Sequence, residues 1–191
     1  MRANRLTASV AATIAIVVAG STAQAQVKVT SGGDVTNISQ KNVVDRLIVG
    51  DSIEVEAAQL AVSRTQNAAV RDFANMLITD HRGHLDNLRK LAGKKDIGRE
   101  ANSADTSATF AIKLLTDMKA MTGGADFDKM FIQQQIAHHE YDIAAVKTLR
   151  PAATDDDLQK DIDRTLPVLE RHLSRAKEVA AQLTAPPGGS N

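Results

Sequence analysis

The feature that most constrains this chain is a helical spacing of apolar residues that recurs four times, each time along one side only. Over roughly residues 40–65, Leu47, Asp51, Glu54, Ala58 and Ala61 follow one another at steps of four and three, flanked by Val44, Ile48, Val55 and Val62. Residues 68–92 carry Val70, Phe73, Leu77, His81, His84, Leu88 and Leu91, with Asn67 placed to cap. Residues 126–149 carry Ile132, Ile136, His139, Ile143 and Val146. In the last segment, 155–183, the stripe is Leu158, Ile162, Leu166, Leu169, Leu173, Ala176 and Ala180, with His172 at its edge. One-sided stripes of this kind predict amphipathic helices, each burying one face against partners.

The connections between these segments set the topology. A short turn at Gln66-Asn67 joins the first two helices, and Arg150-Pro151-Ala152-Ala153-Thr154 joins the last two, so each pair forms an antiparallel hairpin. Between the pairs lies a long segment broken by Gly93, Gly98 and Gly123-Gly124, with a shorter helical pattern around Phe110, Leu114, Leu115 and Met118. Such a segment can cross the bundle end to end. The predicted fold is therefore all-α, a ferritin-like four-helix bundle with a long crossover carrying a short extra helix. Pro167 falls inside the last helix and is expected to kink it. Asp126-Phe127-Asp128 is expected to cap the third helix, and Asp155-Asp156-Asp157 to favour the start of the fourth.

The two ends of the chain read differently. Arg2 and Arg5 precede an apolar run from Leu6 to Ala19, followed by Ala23-Gln24-Ala25. This is the pattern of a secretory signal peptide, residues 1–25, cleaved after Ala25. The run is shorter than the ~20 apolar residues that span a bilayer, so no membrane span is expected after cleavage. A periplasmic or secreted location follows. Residues 26–38 read as a flexible lead-in without an element of their own, residues 39–184 as the bundle, and residues 185–191 as a disordered tail.

Several function classes are excluded by what the chain lacks. Without cysteine it has no disulfide scaffold, thiolate metal site or thiol nucleophile. With 23 basic and 23 acidic residues and 3% aromatics, it has neither the electrostatic footprint nor the stacking platforms of a nucleic-acid binder. No phosphate-cradling loop, nucleotide fingerprint or nucleophile-base pair is visible.

The chemistry rests on polar residues inside the stripes. His81, His84 and His139 occupy stripe positions, as do Asp51 and Glu54, and Asp80 flanks the stripe of its helix. An ionised carboxylate facing a core is costly unless paired, hydrogen-bonded or coordinated. Glu54 stands about 12 residues before the first turn and His81 about 14 after it, so at roughly 1.5 Å per residue they reach similar heights. His139 is expected at the same level, and His172 displaced by roughly one to two turns. His138 reads as a solvated neighbour. Two readings stand open: a divalent-metal site for Zn, Cu, Fe or Mn built from Glu54, His81, His84, His139, Asp51 and Asp80, or a hydrogen-bonded polar layer that fixes helix register without metal. The first would make the protein a metal-binding bundle, the second a structural or protein-interaction bundle of the cell envelope or stress response.

A resemblance adds to this reading. Glu54-Val55-Glu56, Leu60-Ala61, Val70, Phe73-Ala74 and Met76-Leu77-Ile78-Thr79-Asp80-His81 are similar to the opening of the secreted bacterial family known as domain of unknown function 4142. The similarity continues through Gly124-Ala125-Asp126-Phe127-Asp128, Gln135-Ile136-Ala137-His138-His139, Thr165-Leu166-Pro167, His172-Leu173 and Ala176. It implies a ferritin-like bundle, an extracytoplasmic location and no established activity. The His138-His139 pair after Phe127 and Phe131 more weakly resembles a neighbouring ferritin-like family of small secreted His- and Met-rich proteins. Ferritin-like di-iron enzymes place a Glu three residues before each of two histidines. Here Ile136 precedes His139 and Leu169 precedes His172 at that spacing, so the carboxylates needed to bridge two irons are missing.

Overall fold

A computed structural model describes residues 13–16, 27–30, 38–102, 105 and 107–185. Five helices form the body: α1 (Gln40–Arg64), α2 (Ala68–Lys94), α3 (Ser107–Ala120), α4 (Ala125–Leu149) and α5 (Asp156–Thr184). Local chemistry fixes their starts. Ser39 caps α1 through a capping box with Asn42, Asn67 accepts from the Val70 amide at α2, and Asp155 accepts from the Asp157 and Leu158 amides at α5. Among the described residues, no helix is long and apolar enough to cross a membrane.

α1 and α2 pack as one hairpin and α4 and α5 as the other, with α2 against α5 and α1 against α4. The fold is the expected all-α bundle. α3 lies in the crossover, packed on α1 and α4. Its last carbonyls are satisfied by the Arg64 guanidinium, which donates to Met118 and Lys119 at 2.7 and 2.9 Å and to Met121. The crossover then lands against the end of α1. A Cβ at Gly123 would collide with the Arg64 carbonyl oxygen, and Gly124 sits at φ +118°, so both positions require glycine.

The core divides into two apolar halves. Val43, Val44, Ile48, Leu85, Leu88, Val146, Leu149, Leu158 and Ile162 fill the half near the α4–α5 turn. At the α1–α2 turn, Phe73, Leu77, Phe127, Phe131, Ile132, Ala176 and Val179 fill the other. Between them lies a layer of buried polar side chains.

Two expectations are corrected. Gly124, not an aspartate, occupies the cap position of α4, and it makes no side-chain cap bond. Asp126 and Asp128 sit in the first turn instead, where the helix dipole favours them. Residues Val27–Thr30, within the stretch read as lacking an element, form a strand, β2, paired antiparallel with β1 (Thr13–Ile16). The β-branched residues Thr13, Ile14, Ile16, Val27, Val29 and Thr30 favour that pairing. Apart from Thr13–Ile16, the predicted signal peptide and its cleavage site lie outside the described residues, as does most of the tail. As the sequence places it, Pro167 lies inside α5, which continues through it as one element. The proline lies on the exposed side, so the carbonyl it leaves without a helical donor, that of Asp163, is on a face that water reaches.

Candidate metal centre

The polar layer follows from the heptad-like spacing of the inward faces. In α5 the sequence Leu158, Asp161, Thr165, Leu169, His172, Ala176, Val179 steps by three or four throughout. In α4 the same steps link Asp128, Phe131, Gln135, His139, Asp142, Val146 and Leu149. Polar residues thus occupy the middle of each buried face, not its edge. Asp51, Glu54, His81, Gln135, His139, Asp161 and His172 are all buried.

His81, His139 and His172 converge. Their ring centroids are 5.8 Å (His81 to His139), 5.1 Å (His81 to His172) and 5.2 Å (His139 to His172) apart. One ring nitrogen from each lies within 4.8 Å of the others. Among the described residues these three side chains alone form such a cluster of potential ligands.

The hydrogen bonds decide which nitrogens face inward. His139 Nδ1 lies 2.9 Å from the Gln135 carbonyl oxygen, which can only accept, so Nδ1 carries the proton and Nε2 the lone pair. In His172, Nε2 donates to Asp80 at 2.9 Å, leaving the lone pair on Nδ1. At His81, Nδ1 donates to Asp51 at 2.9 Å, and the buried Nε2 has no partner. Each imidazole is thus anchored on its outer side by an acceptor and turns a free nitrogen toward the other two. His139 Nε2 and His172 Nδ1 are only 3.2 Å apart. With both rings neutral, two lone pairs face each other, an arrangement that a shared cation relieves. Two imidazole nitrogens on one tetrahedral metal would stand about 3.3 Å apart, given metal–nitrogen bonds of about 2.0–2.1 Å.

The electrostatics favour the neutral rings at two of the three positions. Burial, together with the neighbouring histidines, pushes His139 down to about 3. Burial also lowers His172, against the opposing pull of Asp80. Burial disfavours a charge on His81 as well, but the bond to Asp51 and the charge of Glu54 outweigh it and raise its pKa. A metal ion at the cluster would therefore compete with one proton, on His81.

The other polar residues form separate groups. His84 is held between two carboxylates, with Nδ1 2.7 Å from Asp51 and Nε2 3.0 Å from Asp161. The Thr165 hydroxyl lies 3.0 Å from the same Nε2. Burial opposes its charge, yet the two carboxylates lift it to about 10. His138 forms an ion pair with Glu54 and lies 3.4 Å from Asp142. Burial would lower its pKa, but Asp142 and Glu54 raise it to about 9. Despite its own burial, Glu54 is held well below the usual carboxylate range by His138, His139 and His81.

Of the residues singled out from sequence, His81 and His139 lie in the three-histidine cluster, and Asp51 and Asp80 orient His81 and His172. His84 is drawn away from the cluster, and Glu54 faces His138. Two sequence readings are overturned. His138 is not a solvated neighbour but a largely buried partner of Glu54. His172 is not displaced: it is fully buried and touches His139. The 3-10 turn Arg150–Ala152 extends α4 before the chain reverses, which reduces the height difference. The Cα–Cβ bonds of antiparallel helices also lean toward opposite ends, bringing the two rings together. Spacing alone carried a signal for His172 and Asp161, because both fit the three-four steps through Leu158, Leu169 and Ala176.

Residues 21–179 match the family described as Domain of unknown function (DUF4142). The chain belongs to this family. A solved structure, "CopM in the Cu(I)-bound form", aligns with a TM-score of 0.62 at 13% identity, covering 78% of this chain and all of that one. At that identity the likeness establishes the shared helical fold. The sequence matches no curated protein.

Proposed function

We propose that this DUF4142 protein is exported through the signal peptide of residues 1–25 and binds a divalent transition metal in its bundle core through His81, His139 and His172. The observation that carries the reading is the convergence of three ring nitrogens, each freed by a hydrogen bond on the opposite side of its ring. Ligating histidines characteristically donate their other nitrogen to a carboxylate or backbone carbonyl, which fixes tautomer and orientation. Asp51, Gln135 and Asp80 supply those acceptors here. Imidazole donors suit Zn, Cu and Fe; Mn, which prefers oxygen, is the least suited of the metals considered. The fold neighbour solved with Cu(I) bound adds support for a metal-related role.

Calorimetric titration of untagged, metal-free protein with Zn(II), Cu(II), Fe(II) and Mn(II) tests this. Micromolar or tighter binding, lost in each of His81→Gln, His139→Gln and His172→Gln, is expected. Absence of binding by the unaltered protein would sink the proposal. Intact mass of the exported protein should correspond to a chain beginning at Gln26.

One observation favours a structural role for part of the layer. The Asp51–His84–Asp161 group sets a carboxylate oxygen against each ring nitrogen, 2.7 Å from Nδ1 and 3.0 Å from Nε2, so it braces α1, α2 and α5 and leaves neither nitrogen open to a ligand.

A further inference from the structure

Three nitrogens leave a four-coordinate metal one ligand short, and a site with three protein ligands ordinarily keeps water in the remaining position. Glu54 is the side chain placed to serve that position. It is 3% exposed, and its Oε1 is held by His138. Its Oε2 is buried and has no partner. A buried, partnerless carboxylate oxygen needs a physical reason, since removing it from water is costly. Its partner His138 has its ring centroid 6.4 Å from that of His139, so the carboxylate lies beside the cluster. Yet it falls outside the group whose ligand atoms lie within 4.8 Å of one another. An acceptor one layer out from a metal is positioned to receive a hydrogen bond from a water ligand.

We propose that the centre is an open one, in which a water molecule completes the coordination of the metal and donates a hydrogen bond to Glu54 Oε2, with His138 as the positioning residue that holds the carboxylate. The inference rests on the three-histidine reading above and extends it: the site admits a small exogenous ligand. Water fills the position, and small anions compete for it against the negative charge of Glu54.

The test uses the protein loaded with Cu(II) and magnetic resonance of the bound ion, in ordinary water and in water enriched in the magnetic oxygen isotope. The unaltered protein should show couplings to three imidazole nitrogens and, in enriched water, a coupling to a solvent-derived oxygen. In Glu54→Gln the nitrogen couplings should persist while the oxygen coupling changes. Azide should bind that variant about tenfold more tightly because the opposing charge is gone, a difference of about 1.4 kcal/mol. Three nitrogen couplings without a solvent oxygen would overturn the open site while leaving the metal reading intact. Missing nitrogen couplings would overturn both. An oxygen coupling and an azide affinity that are both unchanged in Glu54→Gln would remove Glu54 from the role. If that variant does not fold, Glu54→Asp, which keeps the charge but draws it back, should alter the oxygen coupling, and no alteration would be equally decisive.

Discussion

His81 and His84 lie one helical turn apart on α2 and both contact the carboxylate of Asp51, yet their second nitrogens face different surroundings. His84 has a carboxylate on each nitrogen and is held as an imidazolium. His81 has a carboxylate on one nitrogen and nothing on the other, which points at His139 and His172. A buried histidine is therefore not a candidate ligand because it is buried or because histidines are near. What distinguishes the two is whether the second nitrogen is already satisfied, and that depends on Asp161 of α5.

Substitutions should separate the brace from the centre. The largest expected effect is at the brace: His84→Ala leaves Asp51 and Asp161 facing each other without the cation between them, and should cost roughly 3–5 kcal/mol in urea unfolding of metal-free protein. His139→Leu should behave oppositely. It removes the facing lone pairs and fills the space with apolar atoms, so metal-free stability should be unchanged or higher. The stabilisation by metal, about 2.7 kcal/mol at a hundredfold excess over Kd, should vanish. Equal loss of metal-free stability in both variants would erase the distinction drawn here.

The next largest effect concerns the apolar halves on either side of the layer. Leu77→Ala, in the half built around Phe73 and Phe131, should cost about 2–5 kcal/mol by leaving a cavity. Retention of its stability would show that this half is not closely packed.

The pH dependence sharpens the same comparison with smaller changes. The pKa of His84 is raised to about 10 in the folded protein, above its ordinary 6.5. Its contribution is thus complete below pH 6.5 and lost as pH rises toward 10. His139 is lowered to about 3, so folding disfavours its protonation, and stability is lost as pH falls from 6.5 toward 3. Metal-free protein should be most stable near neutral pH. His139→Leu should flatten the acid limb and His84→Gln the alkaline one in denaturant midpoints measured across pH. A limb unaffected by its substitution would disconnect that histidine from the transition. The smallest effect is expected at Glu56, an exposed partner of Lys119 on the outer face of α1. Glu56→Ala should stay within about 0.5 kcal/mol of the unaltered protein by the same unfolding measurement.

The helices were legible because the pattern that makes them is local. Leu47 to Ala61, Val70 to Leu91 and the segments after Asp126 and Asp155 repeat at helical spacing, and Asn67 and Asp155 cap where their sequence context indicates. The existence of a polar layer was legible as well, because Asp51, Glu54, His81 and His139 interrupt apolar stripes. Apolarity was nevertheless a biased guide to the inward face of α5. It put Leu166 and Leu173 in the stripe and His172 at its edge, whereas Leu166 and Leu173 are half-buried and both Asp161 and His172 are buried. Where a core is polar, the most apolar line along a helix is rotated away from the line that is most buried.

The sequence by itself determined the four long helices, their pairing into two hairpins, the crossover between them and the presence of ionisable groups near mid-bundle, since each depends on residues close in the chain. Only the tertiary structure decided which groups meet. The 3-10 turn after α4 and the opposing lean of side chains on α4 and α5 bring His172 onto His139. Asp161 closes His84 off, and His138 draws Glu54 aside. Those outcomes depend on relative heights and rotations of a few ångströms between segments far apart in sequence, and a hydrogen bond made or missed over that distance decides whether a histidine's second nitrogen is occupied or free.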